Sequence, residues 1–446
     1  MKWKFSWFKL SPPQILVMGF ASIILLGTLL LTLPISNTTG KPLAFIDALF
    51  TATSATCVTG LVVKDTGTFF TTFGQVVIIM LIQVGGLGFM TMATLFSLIL
   101  KRRISLRDRL LLQEAMNQNT MEGIVRLIRK VLLFSLIIEG AAAILLTIRW
   151  SVDMPFGKAL YFGIFHAISM FNNAGFDLFG NFRSLTGYVY DPLVNFVVMF
   201  LIVSGGIGFI VLSDLVDFKR TRRISLHSKV VLSMTAFLIV FGAIVIFVFE
   251  YSNPRTLGSL NWGGKILGSL FQSVTPRTAG ANTIDLGSMR QASQFFMIIL
   301  MFIGASPGST GGGIKTTTFT IIIGAVVSML RGRDDIVLFR YRLAQERIFK
   351  ALTITLLALL LVLSVAMVLS TTEDSPFLMI LYETTSAFGT VGLTMGLTTK
   401  LSLIGKILIS LTMFAGRLGP ITMAYALGPK KGKELYRHPE GKIIIG

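Results

Sequence analysis

The chain has 446 residues, 53% of them hydrophobic and 14% charged, with a mean hydropathy of +0.76 and a formal net charge of +19. So few charges cannot cover a water-soluble surface, which excludes a soluble globular protein and leaves a multispanning membrane protein. The positive excess does not mark a nucleic-acid binder, because the basic residues lie between apolar segments rather than around an aromatic binding module.

The apolar pattern predicts an all-α integral membrane protein. The first span covers residues 13–34, between Pro12 and Pro34, and gives about 30 Å of helix, enough to cross the hydrocarbon core. Its positive flank resembles a signal peptide, but the run is long enough to span and no small-residue cleavage site follows, so it is expected to stay uncleaved. Residues 43–55 are apolar but too short to cross and end in polar residues and glycine, which predicts a re-entrant helix. A long span follows near 72–100, interrupted by Gln83-Val84-Gly85-Gly86-Leu87-Gly88-Phe89.

The same order recurs downstream. The second unit has a span near 128–149, a short helix near 156–171 and a long span near 190–216 that carries Gly205, Gly206 and Gly208. The third has them near 228–250, 259–274 and 291–330, and the fourth near 348–370, 376–388 and 402–427. The units divide the chain at 1–100, 101–217, 218–332 and 333–428, with a tail over 429–446. Eight spans return the chain to its starting side. Basic groups around 101–130, 219–229 and 331–350 and in both terminal segments place those segments and both termini in the cytoplasm.

Between each short helix and the next span lies a glycine loop, and Gly60, Gly175, Gly280 and Gly392 recur with a period of roughly 110 residues. Ser54, Ser169 and Ser386 each precede their glycine by six residues, and Ser273 stands beside that position in the third copy. Four loops of this kind pack economically as a pseudo-fourfold ring around one axis. A dehydrated cation needs several oxygen ligands at once, and backbone carbonyls supply them only where glycine permits the required dihedrals. The filter segments are Thr56-Cys57-Val58-Thr59-Gly60, Asn172-Asn173-Ala174-Gly175, Arg277-Thr278-Ala279-Gly280 and Thr390-Val391-Gly392. Arg277, the one basic residue among them, is expected to point away from the axis. Asp65, Asp177 and Asp285 follow their glycines closely and are candidates for an external ring that concentrates cations, or else solvated loop residues. Asp47 and Glu383, in short helices, are expected to be structural hydrogen-bond partners.

The third long span contains Gly304-Ala305-Ser306-Pro307-Gly308-Ser309-Thr310-Gly311-Gly312-Gly313-Ile314-Lys315. Glycine costs about 1 kcal/mol and proline about 3 kcal/mol in a helix interior, so this segment cannot continue the helix. Small-residue helix packing explains Gly85, Gly86 and Gly88, or Gly205, Gly206 and Gly208, but not Pro307 among serines and threonine. Arg417 lies inside the last span with no obvious acid partner, since Glu139 is the only acid well inside another long span. Lys315 is expected to snorkel to the cytoplasmic face. An enzymatic reading lacks a base beside Ser306 or Ser309: of three histidines, His166 is expected to pack or cap a short helix, His227 is at a boundary and His438 is in the tail. The single cysteine, Cys57, excludes an intramolecular disulfide, and no metal or nucleotide motif is present in the sequence.

Four span-loop-span units with Thr390-Val391-Gly392 in the last loop resemble the Trk/Ktr/HKT superfamily of potassium transporters, and most closely the membrane subunit of the bacterial Ktr uptake system. The resemblance covers nearly the whole chain. It implies potassium-selective uptake through the four loops, since glycine at all four positions favours potassium. It implies that residues 304–315 form an intramembrane gate and that Arg417 faces the pore and contacts that loop as a barrier to cations. It implies a homodimer in the cell inner (plasma) membrane, controlled by a cytosolic ring that binds nucleotide (ATP or ADP), with no cofactor in this chain beyond the K+ it carries. A Na+- or H+-coupled symporter, or a Na+ transporter, on the same frame stays open. The apolar ending Ile443-Ile444-Ile445-Gly446 is expected at a subunit interface.

Overall fold

The computed structural model describes residues 11–88, 91–92, 110–113, 123–333 and 335–427. Residues 89–90, 93–109 and 114–122, which include the end of the 72–100 span and much of the basic group after it, lie outside the described residues, as do residue 334 and the tail from 428 onward with its apolar ending 443–446.

Helix α1 (Pro12–Thr32) starts where Ser11 N donates to Gln14 Oε1 (3.0 Å) and Pro12 and Pro13 occupy the turn whose amides would have no helical partner. It is followed by α2 (Phe45–Thr56), the four-residue α3 (Thr66–Phe69) and α4 (Thr72–Leu87). The second unit contains α5 (Ile124–Trp150), α6 (Phe156–Phe171), α7 (Pro192–Gly206) and α8 (Phe209–Thr221). The third contains α9 (Leu226–Glu250), α10 (Trp262–Val274), α11 (Gln291–Phe302) and α12 (Thr316–Leu330). The last contains α13 (Gln345–Thr372), α14 (Phe377–Gly389), α15 (Leu403–Leu418) and α16 (Pro420–Leu427). One small departure from the all-helical expectation is an antiparallel hairpin of β1 (Val337–Leu338) and β2 (Tyr341–Arg342) between α12 and α13.

The long second spans expected from hydropathy do not run straight. Helix α4 stops before Gly88 (φ +84°), α7 before Gly208 (φ +92°) and α15 before Gly419 (φ +86°), each in a left-handed conformation that glycine adopts without strain. The chain bends by 101° between α7 and α8 and by 97° between α15 and α16. By length and composition α1, α5, α9 and α13 can each cross a membrane, and six spans result if each bent pair counts as one. Among the described residues the count stays below the expected eight because α11 and α12 are only 12 and 15 residues long on either side of glycine-rich chain, and because the end of the 72–100 span lies outside the described residues.

Each first helix packs against the short helix of its own unit: α1 on α2, α5 on α6, α9 on α10 and α13 on α14. Each second helix packs against the short helix of the next unit: α4 on α6, α7 on α10, α11 on α14, and α15 back on α2. The order closes on itself. The core lies between these layers, with Phe50, Phe165, Phe171, Phe271 and Phe388 fully buried on the short helices, while the outer faces of α1, α5, α9 and α13 expose leucine, isoleucine and phenylalanine as a lipid-facing surface does.

Candidate functional site

The four glycine loops share one backbone course. Val58, Asn173, Thr278 and Thr390 have φ of +59°, +60°, +71° and +50°, and the glycines two residues later, Gly60, Gly175, Gly280 and Gly392, have φ of +92°, +68°, +77° and +87°. In every loop two residues with positive φ flank one without, a course that the glycine allows at no steric cost. The intervening amide points back to its short helix: Thr59 N donates to Ser54 O, Ala174 N to Ser169 O and Val391 N to Ser386 O, all at 2.8 Å, while Ala279 N donates to Thr275 O at 3.0 Å.

The loops meet in a closed ring. A Cβ built on Gly60 would lie 2.3 Å from Ala174 O, one on Gly175 2.6 Å from Ala279 O, one on Gly280 2.6 Å from Val391 O, and one on Gly392 2.1 Å from Thr59 O. The glycines are thus required twice, by φ and by a neighbouring carbonyl. The serine register has a local role: Ser54 Oγ accepts from Gly60 N (3.0 Å), Ser169 Oγ donates to Phe176 O (2.7 Å) and Thr275 Oγ1 donates to Ala281 O, whereas Ser386 Oγ has no partner among the described residues. Cys57 is buried and free. Arg277 is 5% exposed, its Nη1 has no hydrogen-bond partner among the described residues, and it takes no part in the walls of the cavity above the ring.

That cavity, about 300 Å³, is lined by all four glycines together with Asp65, Asp177 and Thr394. Asp285 is elsewhere: it accepts from Gly287 N (3.1 Å) and Ser288 Oγ (2.5 Å), so the expected three-acid ring reduces to two acids at this mouth. Asp65 also has a structural task, accepting from Thr68 N (2.8 Å) and from Phe182 N of the second unit (2.8 Å).

Residues 304–315 leave the helix, as their glycines require, and fold into a closed loop between α11 and α12. Ile303 pairs with Ile314, Thr316 N donates to Ala305 O (3.3 Å), and Ser306 Oγ and Thr316 Oγ1 share a hydrogen bond (2.9 Å). The loop lies against the filter segments: Gly312 N donates to Thr390 Oγ1 (2.9 Å), and a Cβ on Gly311 would sit 2.0 Å from Thr278 Oγ1. On its other side Ser306 N and Thr310 N donate to Gly206 O (2.9 Å) and Gly205 O (3.2 Å). Arg417 donates through Nη1 to Thr310 O and through Nη2 to Gly85 O and Gly86 O, so it ties the loop to the end of α4. Lys315 does not snorkel outward. Its Nζ turns into the loop and donates to Gly311 O (2.7 Å) and Gly312 O (3.3 Å), because these carbonyls lack helical partners. Arg417, Lys315 and Lys350 all line a cavity of about 280 Å³ beside this loop.

Polar residues that the sequence reading passed over hold the chain after each glycine. The fourth residue of each second helix reaches back: Gln75 donates to Thr66 O (3.1 Å) and Phe70 O (3.0 Å), Asn195 to Tyr188 O (2.8 Å), and Gln294 to Leu286 O (3.1 Å). Lys406, at the matching place in α15, instead pairs with Asp47 of α2 (2.6 Å). Aligning the four second helices by their first residues would have exposed that column of amides. Glu383 accepts from Thr394 Oγ1 (2.6 Å) and Thr398 Oγ1, and His166 Nε2 accepts from Leu178 N (3.3 Å), so both strap a loop to its short helix.

A closed ring of carbonyls in an apolar, lipid-exposed protein suits ion binding, and comparison with known proteins agrees. The sequence matches the TrkH family, described as a cation transport protein, over residues 11–429. It is 48% identical to Ktr system potassium uptake protein B of Bacillus subtilis over 440 residues, 99% of this chain and 98% of that one. It is 41% identical to potassium/sodium uptake protein NtpJ of Enterococcus hirae, over 98% of each chain. The fold is similar to the crystal structure of the potassium transporter TrkH from Vibrio parahaemolyticus, with a TM-score of 0.75 at 17% identity, covering 96% of this chain and 87% of that one. The chain therefore belongs to the TrkH family of cation transport proteins and is a transporter rather than an enzyme.

Proposed function

We propose that this protein takes up K+ across the cell membrane through the axis of its four glycine loops. The observation that carries this reading is the ring itself, in which every loop glycine abuts the carbonyl that precedes the next loop's glycine. The carbonyls of Thr59, Ala174, Ala279 and Val391 replace the water that a K+ ion sheds, and the short helices α2, α6, α10 and α14 hold them from behind. In this reading each unit contributes two membrane passages, eight in all, with both termini in the cytoplasm, and residues 304–315 with Arg417 close the path on the inner side. Arg417 does so electrostatically, by placing a cation at the loop, and mechanically, by fixing Thr310 to Gly85 and Gly86.

The name of the B. subtilis relative places that protein in a multicomponent Ktr system, which supports a homodimer controlled by a cytosolic nucleotide-binding subunit here. The E. hirae relative is named for potassium and sodium, and keeps a sodium-carrying or sodium-coupled reading as the second choice. The deciding experiment is anomalous scattering from crystals grown with Rb+ in place of K+. A peak on the ring axis, coordinated by the four carbonyls, is the expected result. A peak elsewhere, with none at the ring, would reject the site.

A further inference from the structure

Glu139 sits in the middle of α5, 7% exposed, and no cation pairs with it among the described residues. Side-chain donors take that place. Ser135 Oγ donates to its Oε1 (2.8 Å), Gln83 Nε2 reaches both oxygens (3.3 Å each), and Asn172 Nδ2 donates to Oε1 (3.2 Å). Asn172 Nδ2 also donates to Gln83 Oε1 (2.8 Å) and Ile168 O (2.9 Å). Three elements, α4, α5 and the end of α6, thus converge on one carboxylate. A buried acid is costly unless such donors satisfy it.

Asn172 is where this cluster meets the ring. It occupies the place three residues before the loop glycine, where the other loops have Cys57, Arg277 and Gly389. Cys57 is buried and free, Arg277 Nη1 has no partner among the described residues, and Gly389 has no side chain. Among the described residues, Asn172 alone of the four is held by side chains of other helices. On its other side the amide oxygen abuts α4, without a hydrogen-bond partner among the described residues: a Cβ on Gly86 would lie 2.1 Å from Asn172 Oδ1. Asn172 is therefore clamped between the Glu139 carboxylate and the backbone of α4, two residues before Ala174, whose carbonyl lies against Gly60.

We infer that Glu139 is a positioning residue for ion selection: acting through Asn172 and Gln83, it fixes the second filter loop and with it the Ala174 carbonyl. The clamp also reaches the gate. Gln83 lies two and three residues before Gly85 and Gly86, whose carbonyls receive Arg417, and Phe171 O, next to Asn172, accepts from Thr310 Oγ1 (3.4 Å). A change at Glu139 therefore moves ion preference, not only stability. This inference rests on the reading of the four loops as the ion path.

The test compares K+/Na+ preference in proteoliposomes containing the full-length protein, by paired K+ and Na+ flux, for the parent and three variants. Glu139→Gln keeps the volume but opposes an amide nitrogen to the donors of Gln83 and Asn172, and lowers the preference by about tenfold. The double exchange Glu139→Gln with Gln83→Glu restores one acid and one amide in the pair and returns the preference to within about threefold of the parent. A structural role alone would shift the melting temperature and leave the flux ratio in place. Glu139→Gln protein that assembles and keeps the parent ratio overturns the inference. Where Glu139→Gln does not assemble, Ser135→Ala is read instead: a lowered ratio is expected, and an unchanged ratio overturns the inference. A parent protein without K+ preference would reject the ion-path reading itself, whereas a selective parent with unaffected variants rejects only the role of Glu139.

Discussion

The first, second and fourth second-helices differ from the third in where their glycines go. Gly85, Gly205 and Gly416 each press on the last turn of a short helix, where a built Cβ would lie 1.9 Å from the carbonyls of Thr56, Phe171 and Phe388. Gly304, at the corresponding place in the third unit, faces the loop instead, with its built Cβ 2.2 Å from Gly312 O. Three units use glycine to let two helices touch, and one uses it to let the chain turn back on itself. The same residue type in the same column therefore does two jobs, and what separates them is Pro307 with the run Gly311-Gly312-Gly313, which prevents the third helix from resuming before Thr316.

The difference is broken most severely at a seam. Gly205→Val places side-chain carbon into the Phe171 carbonyl, backbone that cannot yield, and costs about 3 kcal/mol or more. Assembled protein is expected to vanish from size-exclusion profiles. Survival of Gly205→Val with parent yield would mean that the seam is loose.

Opening the third unit has the next largest effect. Deleting Ser309 to Gly311 removes Thr310 and with it the bond from Arg417, and replacing Arg417 by Ala frees Thr310 from the end of α4. Either change raises K+ flux by about tenfold, the result of lowering a barrier by ~1.4 kcal/mol. Flux at or below the parent value in both variants would place the closure elsewhere. Smaller still is the effect at the outer mouth. Burial pushes the Asp177 carboxyl up to about 7, against the hydrogen bond from Phe179 N and aided by the charge of Asp65. The mouth therefore gains negative charge as pH rises through about 7. Rubidium uptake at subsaturating concentration is expected to rise about threefold from pH 6 to pH 8, and to stay level in Asp177→Asn.

Much of this was legible from sequence because glycine and hydropathy report backbone and burial directly. The helix Phe156–Phe171 is where the apolar run puts it, and the four loop glycines are in register because each needs a positive φ. The glycine clusters at the ends of α4, α7 and α15 were legible as interruptions, but not what they do: small-residue packing accounts for Gly85, Gly205 and Gly416, and nothing in the pattern says that the chain also ends a helix at Gly88, Gly208 and Gly419. Lys315 was misread for a related reason: a lysine after an apolar segment resembles one reaching for water, but unpaired carbonyls of Gly311 and Gly312 lie closer. The contacts of Glu139, Gln83 and Asn172 come from three distant segments, so no local pattern announces them.

The central claim is that four loops form one K+-selective path, and Gly392 is the residue on which it turns most sharply, with φ of +87° and Thr59 O beside it. The direct measurement is K+ flux into proteoliposomes holding this chain alone, with Na+ absent and then in excess, for the parent and for Gly392→Ser. The account predicts uptake by the parent without Na+, undiminished by excess Na+, and a Gly392→Ser protein that assembles but admits both ions. Uptake that appears only when Na+ or a proton gradient is supplied, or a Gly392→Ser protein with the parent's preference, would contradict it.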